Sequence, residues 1–208
     1  MTPSLYPEVA AIIQKIDLAS ISKKRRADLQ DLIDFIEDKI EKGKGVHLNF
    51  ICTHNSRRSH LAQIWAQVMA SYFSFPNVFA YSGGTEATAM FPVIGKTLSS
   101  QGLEIITLSQ GQNPVYAIKY AENAHPVIAF SKKYDHPLNP TSNFAAIMTC
   151  SEADDNCPFI LGTEKRIPIT YEDPKVYDNT PSQSEKYMER SIQIASEMFF
   201  VFSQIGTK

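Results

Sequence analysis

Cysteine is scarce, with three in 208 residues. A small odd number excludes a disulfide-stapled secreted fold and suits a reducing compartment, so a cytoplasmic protein is expected. No apolar run approaches the roughly 18 residues of a transmembrane helix. The opening MTPSLYPEVAAIIQKIDL has neither a basic n-region nor an apolar h-region, and no secretory signal is expected. Charge of one sign is missing too. With 20 Lys and Arg against 22 Asp and Glu, the net charge is −2, which leaves no basic field for nucleic acid or an anionic membrane. Internal repeats and low-complexity segments are absent. What is present is apolar material, 43% of the residues, enough for the core of one ordinary domain.

Residues 1–45 read as an N-terminal helical extension, and 46–208 as the body of the fold. In the extension, Val9, Ile12, Ile13 and Ile16 repeat at helical spacing, as do Leu29, Leu32, Ile33, Ile36 and Ile40. Ser20 or Ser22 is placed to cap the second stretch, and Gly43 and Gly45 to stop it, so the pattern predicts a helical hairpin packed on the body. Lys23-Lys24-Arg25-Arg26 between the stretches reads as a solvated turn.

The body alternates strand and helix. Val46–Ile51, Val78–Ser82, Phe144–Thr149 and Arg166–Thr170 read as strands. Leu61 to Tyr72, Phe91 to Gln101 and Pro181 to Ser203 read as helices. This order predicts an α/β fold, a doubly wound parallel sheet of about four strands with flanking helices. Val115–Tyr120 and Val127–Phe130 do not fit the alternation and read as an inserted β-hairpin.

The chemistry concentrates in Asn49-Phe-Ile-Cys52-Thr53-His54-Asn55-Ser56-Arg57-Arg58-Ser59, between the first strand and a strongly periodic helix. In an open α/β sheet, ligands bind at the carboxyl end of such a strand. A loop winding into a helix N-terminus turns backbone N–H groups inward, and the helix dipole adds positive potential, which makes an oxyanion site. That field favours the thiolate of Cys52. The guanidinium of Arg58 can take two oxygens of a tetrahedral oxyanion. Ser59 can hydrogen-bond the sulfur, and Asn55 can brace the loop. The expected oxyanion-binding segment is therefore Thr53, His54, Asn55, Ser56, Arg57, Arg58 and Ser59. By its Cys52, Asn55, Arg58 and Ser59, the segment resembles the anion loop of the low-molecular-weight protein tyrosine phosphatase superfamily, which includes arsenate reductases. The resemblance spans roughly residues 46–205. His54 stands where the family usually has glycine, so a positive φ there would be strained. Arg57 is an additional cation, expected to face solvent.

Cys150 and Cys157 follow a predicted strand. Their spacing suits zinc poorly, which leaves two unrelated thiols or a redox pair. Parallel topology would bring Cys150 toward Cys52, with Cys157 on a mobile acidic loop, and three thiols can pass a disulfide outward by exchange. The segment looks like the cysteine loop of thioredoxin-coupled arsenate reductases, which implies thioredoxin as reductant. Asp173-Pro174, after the last strand, is either a turn-forming pair or a general acid. The family carries its acid in an Asp-Pro pair here, which implies that role for Asp173. Reductases of the family commonly have an acidic residue of a potassium site where this chain has Gln63. No cofactor or metal is expected. Ser82-Gly83-Gly84 reads as a structural turn under the anion loop. The expected activity is arsenate reduction, with phosphomonoester hydrolysis as the alternative.

Overall fold

The computed structural model describes residues 4–156 and 159–206. Cys157, the outer thiol of the expected pair, lies outside the described residues. Strands β1 (Val46–Cys52), β2 (Val78–Gly84), β6 (Phe144–Met148) and β7 (Thr163–Pro168) form one parallel sheet in the order β2-β1-β6-β7. Strand β6 is buried along its whole length and β1 nearly so, as befits central strands covered on both faces. The chain order reverses between β1 and β6. The crevice at their carboxyl ends is therefore the topological switch point, where open α/β sheets bind ligands.

Helices α3 (Arg58–Tyr72), α4 (Pro92–Ser100) and α6 (Gln183–Gln204) flank the sheet. On α6, Tyr187, Ile194, Met198 and Phe202 are all buried, the stripe expected from their spacing. The helix starts two residues after Pro181, behind Ser182.

The extension differs from a hairpin. Helix α1 (Pro7–Gln14) and helix α2 (Lys23–Glu41) each pack on the body. Leu5 bridges to Ala121, and the Tyr6 N–H donates to the Tyr120 carbonyl, which ties the first residues to the inserted sheet. Ser22 caps α2, accepting the Arg25 N–H at 3.1 Å. Leu29, Leu32, Ile33 and Ile36 are fully or almost fully buried in the same core as β1 and α6. Burying four such side chains contributes on the order of 6–12 kcal/mol, comparable with the whole net stability of a domain. The basic run is only half solvated. Lys24 makes a surface pair with Asp28. Arg25 instead forks onto Glu197 at 2.9 and 2.8 Å and lies over the Tyr171 ring, and Arg26 donates to the Leu18 and Ile21 carbonyls.

The insertion has three antiparallel strands rather than two: β3 (Glu104–Ser109), β4 (Val115–Lys119) and β5 (Val127–Ala129). Strand β3 carries Ile105, Ile106 and Leu108 but is largely exposed, so its pattern is not the alternation of a half-buried strand. The segment expected to be a mobile acidic loop is a short helix, α5 (Ser151–Asn156). Cys150 caps it: its carbonyl accepts from the Asp154 N–H and its sulfur from the Ala153 N–H. Asp154 also pairs with Arg166 of β7 at 2.6 Å, which fastens the helix to the sheet.

Candidate active site

Cys52 is the last residue of β1 and is 4% exposed. The loop from Thr53 to Arg57 then winds into α3, whose first turn has no side-chain cap. Among the described residues, no backbone N–H from Thr53 to His60 has a protein acceptor. A run of unclaimed donors in buried surroundings at a helix N-terminus is a site for an anion.

The loop is held from behind. The end of β2 runs alongside it: the Thr85 N–H donates to the Cys52 carbonyl and the Glu86 N–H to that of Thr53. Gly84 is required here, because a Cβ would stand 2.7 Å from both the Asn55 nitrogen and the Thr53 oxygen. The structural role expected for Ser82-Gly83-Gly84 is thus what is found. Asn55 is the left-handed residue of the loop, with φ 44°, a conformation asparagine tolerates. His54 carries no such strain. Its exposed imidazole approaches Glu86 at 3.5 Å, and its carbonyl accepts from Ser131.

Asn55 organises the interior. Its Nδ2 donates to Ser59 Oγ at 2.8 Å, and its Oδ1 accepts the Lys132 N–H at 2.9 Å. Ser59 Oγ in turn lies 3.1 Å from Cys52 Sγ, so the serine expected to reach that sulfur does. Arg58 is buried. Its Nη1 donates to the Tyr171 carbonyl at 2.9 Å, and its Nη2 pairs with Asp173 at 2.6 Å. Its Nε is buried and has no acceptor, a donor left for an oxyanion. Asp173 thus reaches the cleft. Its second oxygen accepts the Lys175 N–H, the turn role that its Asp-Pro context also allowed.

Arg57 does not face solvent. Its Nε donates to the Tyr187 hydroxyl and its Nη2 to Asp178, both at 2.6 Å, while the guanidinium stacks 4.1 Å from the Phe91 ring centroid. Burial works against the Asp178 carboxylate. Hydrogen bonds from Tyr187 and Gln183 and the Arg57 charge outweigh it, so its pKa lies below the usual carboxylate range. Arg57 therefore offers the loop its backbone and fastens the start of α3 to α6.

The β1/β6 register sets Ile51 beside Met148, so the chain beyond β6 runs past the anion loop. Cys150, 1% exposed, shares a small buried cluster with Cys52, and Thr53 Oγ1 lies 3.5 Å from its sulfur. Both thiols are free. Thr53 also donates to Glu152 of α5 at 3.2 Å.

Two residues beneath the loop carried no recognisable sequence signal. His60, on α3, is fully buried. Burial, with the Lys132 charge nearby, lowers its imidazole to about 3, so it is neutral. Lys132 follows β5, and its ammonium is buried and lowered to about 8. Among the described residues, no group of three or more His, Cys, Asp or Glu side chains is arranged to hold a metal ion, and no helix is long and apolar enough to cross a membrane.

No family model matches the chain. It is 26% identical over 151 residues to an arsenate reductase of Staphylococcus aureus strain Newman, covering 72% of this chain and 92% of the relative. A low-molecular-weight protein tyrosine phosphatase from T. tengcongensis superposes with a TM-score of 0.51 at 14% identity, over 77% of this chain and 100% of that one. A low-molecular-weight phosphotyrosine phosphatase from Vibrio cholerae O395 gives 0.50 at 14% identity, over 77% of this chain and 95% of its own. These two share the fold: a parallel four-stranded sheet flanked by helices. The chain is thus similar in sequence to an arsenate reductase and in fold to low-molecular-weight protein tyrosine phosphatases.

Proposed function

We propose that the protein is a cytoplasmic arsenate reductase that works through a three-cysteine relay. The observation that carries this reading is the burial of Cys150 in one cluster with Cys52, beside an anion loop whose N–H groups are unclaimed. Arsenate sits in the loop, and Arg58 turns its free Nε and part of its fork to the oxygens. The Cys52 thiolate attacks arsenic, and Asp173 protonates the departing oxygen. Cys150 then attacks the Cys52 sulfur. The S–S bond forms as the S–As bond breaks, its electron pair stays on arsenic, and arsenite leaves. Cys157 attacks Cys150, which frees Cys52 as a thiolate and carries the disulfide to where thioredoxin reduces it.

The Arg58–Asp173 pair gives this scheme an order. In the free site Asp173 is paired with Arg58 Nη2 at 2.6 Å. An incoming dianion competes for the guanidinium and brings negative charge toward the carboxyl group. Both effects loosen the pair, so Asp173 is released toward the departing oxygen when substrate arrives.

A second reading is phosphatase chemistry, in which Cys52 takes a phosphoryl group and water clears it. It is favoured by the position of Cys150 as the cap of α5, its sulfur already accepting the Ala153 N–H, a role that needs no redox chemistry. Turnover of arsenate and of an aryl phosphate, each with and without a thioredoxin system, separates the two. Arsenite formed only with thioredoxin supports the relay. Aryl phosphate hydrolysis without arsenite supports the phosphatase.

A further inference from the structure

The inserted sheet leaves a cavity of about 650 Å³ between itself, α3 and the edge strand β2, large enough for a small organic molecule. Its walls are mostly apolar, with Phe75, Phe79, Val127, Ile128 and Phe130 among them. The β2 edge facing it is closed by side chains. Gln67 bonds Val78 and Ala80, Gln63 Nε2 donates to the Ala80 carbonyl, and Asn139 Nδ2 donates to that of Ser82. These bonds fix both amide orientations. They leave the Gln63 and Asn139 carbonyl oxygens buried with no donor.

Lys132 also lines the cavity. It is 5% exposed, its Nζ has no acceptor, and its ammonium lies 4.9 Å from the Phe130 ring centroid. A buried ammionium without an acceptor is among the costlier features a fold can hold. The oxyanion chemistry does not use this side chain, because only the Lys132 backbone N–H serves Asn55.

We propose that this cavity binds a small organic acid with an aromatic or branched aliphatic body. The carboxylate pairs with Lys132. An adjacent O–H or N–H donor meets the Gln63 and Asn139 carbonyls, and the apolar body fills the space between β2 and β5. The charge asks for an anion, the walls ask for an apolar body rather than a bare inorganic ion, and the two carbonyls ask for a donor next to the acid group. The site is separate from the anion loop.

Isothermal titration of the full chain with 3-phenyllactate and its neutral amide, 3-phenyllactamide, tests this. The acid should bind one-to-one, with the amide roughly tenfold weaker or more, the scale of one lost charge-assisted hydrogen bond. Lys132→Met should abolish that preference. Ile128→Trp, at a position 38% exposed that tolerates a larger side chain, should fill the cavity and remove binding, and it decides the matter if Lys132→Met does not fold. Millimolar phosphate should not displace the acid. No binding at millimolar ligand, equal binding of acid and amide, indifference to Lys132→Met in a folded variant, or displacement by phosphate would each overturn the proposal.

Discussion

Replacing His60 with Gln should remove much of the acid sensitivity of the fold. The imidazole is fully buried on α3 beneath the anion loop. Its Nδ1 lies 3.4 Å from Ser82 Oγ and its Nε2 has no partner. Burial first, and the Lys132 charge second, lower its pKa from 6.5 to about 3. In the unfolded chain it titrates near 6.5. A group whose folded pKa is depressed contributes stability above its unfolded pKa and loses it as pH falls. Between pH 7 and pH 4.5 the unfolded imidazole goes from about one-quarter protonated to almost fully protonated, while the folded one stays neutral. The loss over that window is about 2.5 kcal/mol, and it depends only on the unfolded value. That is a large share of the roughly 5–15 kcal/mol that holds a domain together. Urea unfolding at the two pH values, followed by the fluorescence of the single, fully buried Trp65, measures it. Carboxylates titrate in both proteins, so the difference between them isolates the imidazole. If His60→Gln and wild type lose the same stability from pH 7 to pH 4.5, His60 is not held neutral and this reasoning fails.

Asp173→Asn should lower kcat by about 10²–10⁴ with either substrate class, because the general acid is gone. It should also leave phosphate inhibition unchanged or tighter, because Arg58 loses a competing carboxylate; a collapse of phosphate affinity would show that the ion pair builds the loop. Cys150→Ser should stop multiple-turnover arsenate reduction while sparing aryl phosphate hydrolysis. Peptide mapping after one equivalent of arsenate should find a Cys150–Cys157 disulfide in wild type and none in the variant. Arg25→Met should destabilise the protein by about 3 kcal/mol, because it strands Glu197, whose side chain is only 3% exposed. Pairing it with Glu197→Leu should recover most of that loss in urea unfolding. Removing residues 1–44 should cost far more, since Leu29, Leu32, Ile33 and Ile36 leave the common core, and circular dichroism of the truncated chain should show loss of the fold.

Sequence by itself determined the parts whose physics is local. Val46–Cys52, then a loop with Asn55 and Arg58, then a periodic helix can make few things besides a strand-loop-helix anion site, and each piece is set by residues close along the chain. The parallel sheet followed from alternation, and the close packing of Gly84 under the loop from its place at a strand end. Tertiary structure decided whatever depends on partners far along the chain. Arg57 looks like a free cation until Asp178 and Tyr187, more than a hundred residues away, claim it. The left-handed position fell to Asn55, whose side chain is fixed by the Lys132 backbone as well as by Ser59. Segment 151–156 has the polarity of a loop, but Cys150 capping and the Arg166 pair make it helical. Arg25 reads as part of a solvated run because its acceptor, Glu197, lies 172 residues along the chain and meets it only where α2 packs on α6. Lys132 and His60 have no local signature at all: burial gives each its chemistry, and burial is a property of the folded whole.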